Sequence, residues 1–259
     1  MLVLALLLQL SFQSEAQASK EEDSLLTYPA FVAPGPVLRL SGSGVLLGTA
    51  NTTYLLTARH VFVNDMRDTL VKPGGLVRAR AADPKESMSY VVKLDLNILR
   101  NSENWKEDKE HDVLLVRLIH NQFPVEGVHV THEPKSGPSM IPLPDVHGIS
   151  EIASGKVVYI AGYRTSIIPN NANGSELNSA SVRGGKILLY TIDDGKIVSD
   201  YHAYSGDSGA PIFMFTESGI TLVGVHIGRQ DAITNNGSKR ELAIATSTQY
   251  VLELISSFH

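Results

Sequence analysis

Residues Tyr201–Phe213 read YHAYSGDSGAPIF, a serine set between glycines just ahead of an apolar run, Pro211 to Phe215. Glycine at 206 and 209 lets the backbone bend on both sides of Ser208, so that the amides of Gly206 and Ser208 face one small space beside the hydroxyl. Such a nest holds an oxyanion. The same four residues, Gly206-Asp207-Ser208-Gly209, also suit an ordinary β-turn, so the stretch gains meaning only from a base and an acid elsewhere in the chain.

Toward the amino terminus, Tyr54-Leu55-Leu56-Thr57-Ala58-Arg59-His60-Val61 puts a histidine at the end of an apolar strand, where a base can be held; a satisfied, partly buried ring is the bland alternative. Between the two stretches, Asp112 stands at the mouth of the apolar strand Val113-Leu114-Leu115-Val116-Arg117-Leu118. A carboxylate there is costly to bury unless something donates to it, and an imidazole N–H is the obvious donor. The acid would in return fix the imidazole tautomer and favour the imidazolium formed during proton transfer. Asp112 as a cap on the strand entrance is the other reading, and Asp65, in the loop after His60, is a rival acid.

In the order His60, Asp112, Ser208 these stretches resemble the chymotrypsin and trypsin-like serine peptidase family. Thr57-Ala58-Arg59-His60 matches its T-A-x-H, Asp112-Val113-Leu114-Leu115 its acid before an apolar strand, and Gly206-Asp207-Ser208-Gly209-Ala210-Pro211 its G-D-S-G-G-P. The resemblance spans roughly Val37 to the carboxyl end. It implies an all-β fold of two six-stranded antiparallel β-barrels, with His60 and Asp112 from the first and Ser208 from the second. It further implies a serine endopeptidase that works without cofactor or metal on polypeptide substrates through an acyl-enzyme. Ser208 is then the nucleophile, His60 the base, Asp112 its orienting acid, and the amides of Gly206 and Ser208 the oxyanion hole. Activity should fall as His60 protonates, around pH ~6–7.

The chain departs from the family in informative places. Val61 stands where many members carry a cysteine, and no basic residue followed by I-V-G-G occurs near residues 19–45. Asp207 therefore needs a partner other than a newly cut amino terminus. The run Leu222-Val223-Gly224-Val225-His226-Ile227-Gly228 carries a G-x-H where the family builds one wall of its specificity pocket. That is similar to glutamyl endopeptidases and picornaviral proteases, and it implies that His226, with His202 near the pocket floor and Gly228 on its wall, binds a Glu or Gln side chain of the substrate. A catalytically inactive protease-fold binding protein is the alternative from another class. A lipase-like G-x-S-x-G is absent because position 210 is alanine, and the glycines of Gly42 to Gly48 read as strand and turn punctuation rather than a nucleotide loop.

The whole chain agrees with a large β domain. Its 259 residues are 43% apolar, enough for a core without staples, and the formal charge of -5 offers no basic surface for nucleic acid. Cysteine is absent, which excludes thiol nucleophiles, disulfides and cysteine-based metal sites. Twelve short strand-like runs are expected: Val37–Leu40, Val45–Gly48, Tyr54–Thr57, Leu76–Ala81, Tyr90–Leu96 and Val113–Leu118, then Val157–Tyr163, Lys186–Ile192, Lys196–Ser199, Ile212–Phe215, Thr221–His226 and Leu242–Ala245. The first barrel is expected at about 34–120 and the second at about 150–246. Leu118 to Ile149 reads as the connection between them, and the charged run Glu103 to Asp112 as a solvated loop. Val251, Leu254, Ile255 and Phe258 share one face of a helix at 247–258, with Thr246 and Gln249 as its capping box.

Residues 1–18 read as a cleaved export signal, an apolar Met1 to Leu10 followed by the small-residue pattern Ala16-Gln17-Ala18; residues 19–33 then read as a lead-in. A secreted monomer, free of the membrane once the signal is removed, is the expectation. Sequons at Asn51, Asn173 and Asn236 permit glycosylation.

Overall fold

The computed structural model describes residues 22–35, 42–146, 152–164, 180–217, 219–233 and 237–258. The expected leader, the strand expected at Val37–Leu40, the Asn173 sequon and Asn236 of the third sequon lie outside them.

The first lobe begins with β1 (Pro29–Pro34), β2 (Gly42–Gly48) and β3 (Thr52–Ala58), followed by a 3₁₀ turn at Arg59–Val61 and the small hairpin β4 (Val63–Asn64) and β5 (Thr69–Leu70). It continues through β6 (Gly74–Ala79), β7 (Tyr90–Asp95), a short helix at Leu96–Arg100, β8 (Trp105–Asp108) and β9 (Val113–His120). The short strands β10 (Phe123–Pro124), β11 (Val128–His132) and β12 (Ile141–Pro142) complete it. The second lobe holds β13 (Val157–Gly162), β14 (Ser181–Thr191), β15 (Lys196–Ser199), β16 (Pro211–Thr216), β17 (Gly219–Ile233) and β18 (Lys239–Ser247), and a helix at Thr248–Ser256 ends the described chain.

The second lobe is the expected closed antiparallel barrel of six strands, in the order β13-β14-β15-β18-β17-β16. The first differs from a six-stranded barrel. It is a ten-stranded sheet with the path β10-β9-β3-β2-β1-β6-β7-β11, with β12 added parallel to β2 and β8 antiparallel to β9. The extra strands come from stretches expected to be connections. Residues 19–33 supply most of β1, whose Ala30 and Val32 enter the core, with Pro29 and Pro34 at the strand ends where a missing N–H matters least. The expected interlobe segment supplies β11, whose Val128 is buried in the same core. The charged run supplies β8, anchored by buried Trp105 against Phe62.

Strands β2, β3 and β9 of the first lobe, like β1, are buried on both faces. One face of β2, β3 and β9, through Leu46, Leu55, Leu114 and Val116, points into the first-lobe core with Phe62, Val77 and Val92. The alternate residues Val45, Leu47, Tyr54, Leu56, Val113 and Leu115 pack on Phe213, Leu222 and Val225 of the second lobe and on Val251 of the helix. Burial on both faces is why these segments read as unbroken apolar runs rather than alternating ones. The lobes therefore share one core, which fixes the strand ends that carry the site.

Val251, Leu254 and Ile255 of the helix and Phe258, in the turn just beyond it, join this shared core, and Phe258 meets the ring of Tyr54 with centroids 5.2 Å apart. The cap is one residue later than expected: Ser247, not Thr246, accepts from the amide of Gln249. Thr246 is still in β18, and its hydroxyl donates to the carbonyl of His111 at 2.7 Å, a bond between the lobes.

Candidate active site

The meeting of His60 and Asp112 follows from strand register. Strands β3 and β9 are antiparallel with Ala58 opposite Val113, so the residues leaving β3 and entering β9 are neighbours. The amide of Arg59 donates to the carbonyl of Asp112 at 3.0 Å, and the amide of His60 to its Oδ1 at 2.9 Å. His60 Nδ1 then donates to Asp112 Oδ2 at 2.6 Å, leaving Nε2 as the ring's other pole. Asp112 adopts φ +54°, a left-handed conformation unusual for a non-glycine residue, and the two bonds to its carboxylate and one to its carbonyl hold it there.

Burial alone would hinder protonation of His60. The hydrogen bond and charge of Asp112, with the charge of Asp65 added, outweigh it and raise the imidazole above its ordinary 6.5. Of the two rival acids, Asp112 takes the ring, while Asp65 pairs with Arg59.

Ser208 sits just before β16 in a loop seated on the first lobe. The amide of Ser43 in β2 donates to the carbonyl of Ser208 at 2.8 Å, and the Ser43 hydroxyl donates to that of Gly206 at 2.8 Å while accepting from the amide of Tyr163. Gly209, with φ +86°, makes this approach possible: a β-carbon there would overlap the carbonyl of Ser43 and the hydroxyl of Thr57, and would lie 2.9 Å from the amide of Ala58. The Ser208 loop is thereby held against the strand end from which His60 projects. Within it the amides of Asp207, Gly209 and Ala210 donate to Tyr204, His226 and Asp207 respectively. Among the described residues no backbone bond takes the amides of Gly206 or Ser208, the pair expected to face an oxyanion.

Asp207 is fully buried. Arg183 on β14 grips it as a fork, Nη1 to Oδ2 at 2.6 Å and Nη2 to Oδ1 at 2.7 Å, and the amide of Tyr204 donates to Oδ2 at 2.5 Å. This internal guanidinium is the partner that the missing cleavage site left open. Arg183 also donates to the carbonyl of His202 at 3.0 Å and lies over the Tyr204 ring, so one side chain braces the loop at three points.

His226 lies in β17 beside a β-bulge that separates it from Gly228. It is 2% exposed, and its Nδ1 lies 3.0 Å from the hydroxyl of buried Tyr201. Burial drives its pKa down to about 4, against the opposing charge of Asp207. A β-carbon on Gly228 would meet open space. His202 is exposed with its ring edge on Tyr204, and among the described residues no hydrogen bond joins it to His226.

The charged run expected to be a solvated loop is instead partly buried. Glu107 of β8 binds the buried guanidinium of Arg59, the indole N–H of Trp105 and Arg100, while Asp108 holds His111 Nδ1 at 2.6 Å. Arg59, Arg183, Ser43 and Tyr201 are thus site-shaping residues that the motifs alone did not single out. Their only sequence trace is a polar side chain beside a motif or within an apolar strand. Among the described residues no group of three or more histidines and acids could hold a metal ion, and no helix is long and apolar enough to cross a membrane.

A two-lobed β fold with a histidine–aspartate pair at one strand end and a glycine-flanked serine loop docked on it defines a chymotrypsin-like protein. The trypsin-like peptidase domain model matches residues 42–225, and the chain belongs to that family. Among solved structures it is similar to the crystal structure of Deg5, with a TM-score of 0.55 and 12% identity over 93% of this chain and 92% of that one, a likeness of fold. A comparison with curated proteins finds no match.

Proposed function

We propose that the chain is an exported serine endopeptidase in which Ser208 attacks the substrate carbonyl, His60 relays the proton and Asp112 orients His60. The observation that carries this reading is the pairing of His60 with Asp112 at the strand end against which the Ser208 loop is seated. Ser208 loses its proton to His60 Nε2 as its oxygen bonds to the carbonyl carbon, and the amides of Gly206 and Ser208 receive the oxyanion, a contribution of about 3 kcal/mol per donor. His60 then passes the proton to the departing amine, and water repeats the sequence to free the enzyme. The Arg183–Asp207 pair supports a loop that is competent without a newly cut amino terminus.

For specificity, His226 supports Gln or Glu before the scissile bond, with Gln favoured. Tyr201 is fully buried and its hydroxyl finds its partner in His226 Nδ1. A buried O–H must donate, so the imidazole proton resides on Nε2, a neutral donor suited to an amide oxygen. A carboxylate in the same place would meet a neutral imidazole rather than a cation. His202 and Gly228 are proposed to line the same pocket. Export rests on the apolar Met1 to Leu10 followed by Ala16-Gln17-Ala18.

The experiment is labelling of the purified chain by a fluorophosphonate probe, with Ser208→Ala as control. Labelling lost in the variant is expected, followed by cleavage of peptide libraries after Gln. No labelling of either chain would favour the inactive binding protein.

A further inference from the structure

We propose that Arg59 is a positioning residue that keeps Asp65 from competing with Asp112 for the imidazole of His60. The proposal rests on the triad reading above.

Arg59 fills the variable place of T-A-x-H and is 2% exposed. Its guanidinium meets three carboxylates: Nη1 donates to Asp65 at 2.5 Å, Nη2 to Asp68, and Nε to Glu107 at 3.2 Å. Asp65 and Asp68 lie between β4 and β5, directly after His60, while Glu107 lies on β8, just ahead of Asp112. One buried cation therefore ties the segment carrying the base to the segment carrying its acid.

The three acids do not depend on Arg59 equally. Asp68 is also held by Arg100 and Lys109, and Glu107 by Arg100 and the indole N–H of Trp105. Among the described residues Asp65 has Arg59 as its single ion-pair partner. Loss of the guanidinium would leave Asp68 and Glu107 bound and would release Asp65 alone. Asp65 stands close enough for its charge to act on His60 even while paired. Released, it would favour the imidazolium over the neutral base that Ser208 needs, or pull the ring off Asp112, and either costs turnover.

The test is an NMR titration of His60 in the whole chain, with kcat/KM against pH measured alongside on a fluorogenic ester. In Arg59→Met the His60 midpoint is expected to rise by about half a pH unit and kcat/KM at neutral pH to fall about tenfold. Asp65→Asn alone should move the midpoint slightly down. Arg59→Met combined with Asp65→Asn should bring the midpoint back to wild type and recover most of the rate, a rescue that loss of a merely structural brace would not show. Should Arg59→Met fail to fold, Arg59→Lys, which grips one carboxylate at a time, should shift the midpoint in the same direction by less, again reversed by Asp65→Asn. An unchanged midpoint in the folded Arg59 variant, or a shift that survives Asp65→Asn, would overturn the proposal. The titration needs no turnover, so a chain inactive on the ester would count against the peptidase reading and leave Arg59 to be decided by the midpoint.

Discussion

His60 and His226 are one kind of side chain in two settings, and the molecule drives them in opposite directions. His60 donates Nδ1 to a carboxylate, and the acids outweigh its burial to raise its pKa. His226 shares Nδ1 with a phenol and is nearly sealed, so desolvation wins and it falls to about 4. Whether a carboxylate at Nδ1 offsets the burial thus decides whether the ring can hold a proton or stays neutral. The two rings lie near enough for His60 to depress His226 further, so the contrast is maintained over a short distance.

Replacing the acid should break the comparison most. Asp112→Asn keeps the shape but removes the charge that raises His60 and the acceptor that fixes its tautomer. Turnover is expected to fall about 10⁴-fold. The pH profile carries a second sign. In the proposed mechanism neutral His60 is the working form, so wild-type activity is expected to fall as pH drops through a midpoint above 6.5. In the variant the residual activity should persist to lower pH. A kcat/KM profile on both proteins checks this, and an unmoved acid limb would mean that Asp112 does not set it.

A smaller but still large effect is expected from Arg183→Met. Asp207 would remain fully buried with its guanidinium gone, a loss of roughly 3–5 kcal/mol by denaturant unfolding. The same change should make His226 more like His60, because Arg183 depresses its pKa and Asp207 raises it. Fluorophosphonate labelling should drop with it, since the Ser208 loop hangs from Asp207. Arg164→Met is the control: Arg164 lies over the same Tyr204 ring and reaches Ser181 but makes no bond to Asp207, so stability should change little. Equal losses from both variants would show that the cation over Tyr204, not the pair with Asp207, matters.

How far the sequence disclosed this arrangement depends on how local each feature is. The residues proposed as a triad could be singled out because each sits at a strand end whose apolar run is contiguous in the chain, and the Ala58–Val113 register brings two of them, His60 and Asp112, together. The second barrel was readable strand by strand for the same reason. The first lobe was readable at β2, β3, β6, β7 and β9 but not at β1, β8 and β11, which are made from segments dominated by proline, charge or isolated apolar residues and gain strand structure only from neighbours far away in the chain. Arg183 and Arg59 were invisible for a related reason: an arginine's role depends on which carboxylates the fold delivers to it, and no spacing rule encodes that. Asp207 was the exception, since its need for a partner could be read while the partner could not.

The smallest predicted effect is the sharpest test of the second histidine. Tyr201→Phe removes one oxygen from a buried site and leaves His226 Nδ1 without its donor. The imidazole proton is then free to move to Nδ1, and the Nε2 pole proposed to meet the substrate becomes an acceptor in part of the population. Cleavage after Gln should fall about tenfold in kcat/KM, while labelling of Ser208 by a small probe, which does not use the pocket, should change little. Stability supplies the internal check. With a folded pKa of about 4 against 6.5 in the open chain, His226 favours the fold fully above pH 6.5, and that contribution is lost as pH falls toward 4. Tyr201→Phe leaves the ring buried, so this acid sensitivity should survive. If peptide cleavage and probe labelling fall together, Tyr201 supports the Ser208 loop rather than the tautomer, and the preference for an amide side chain loses its physical basis.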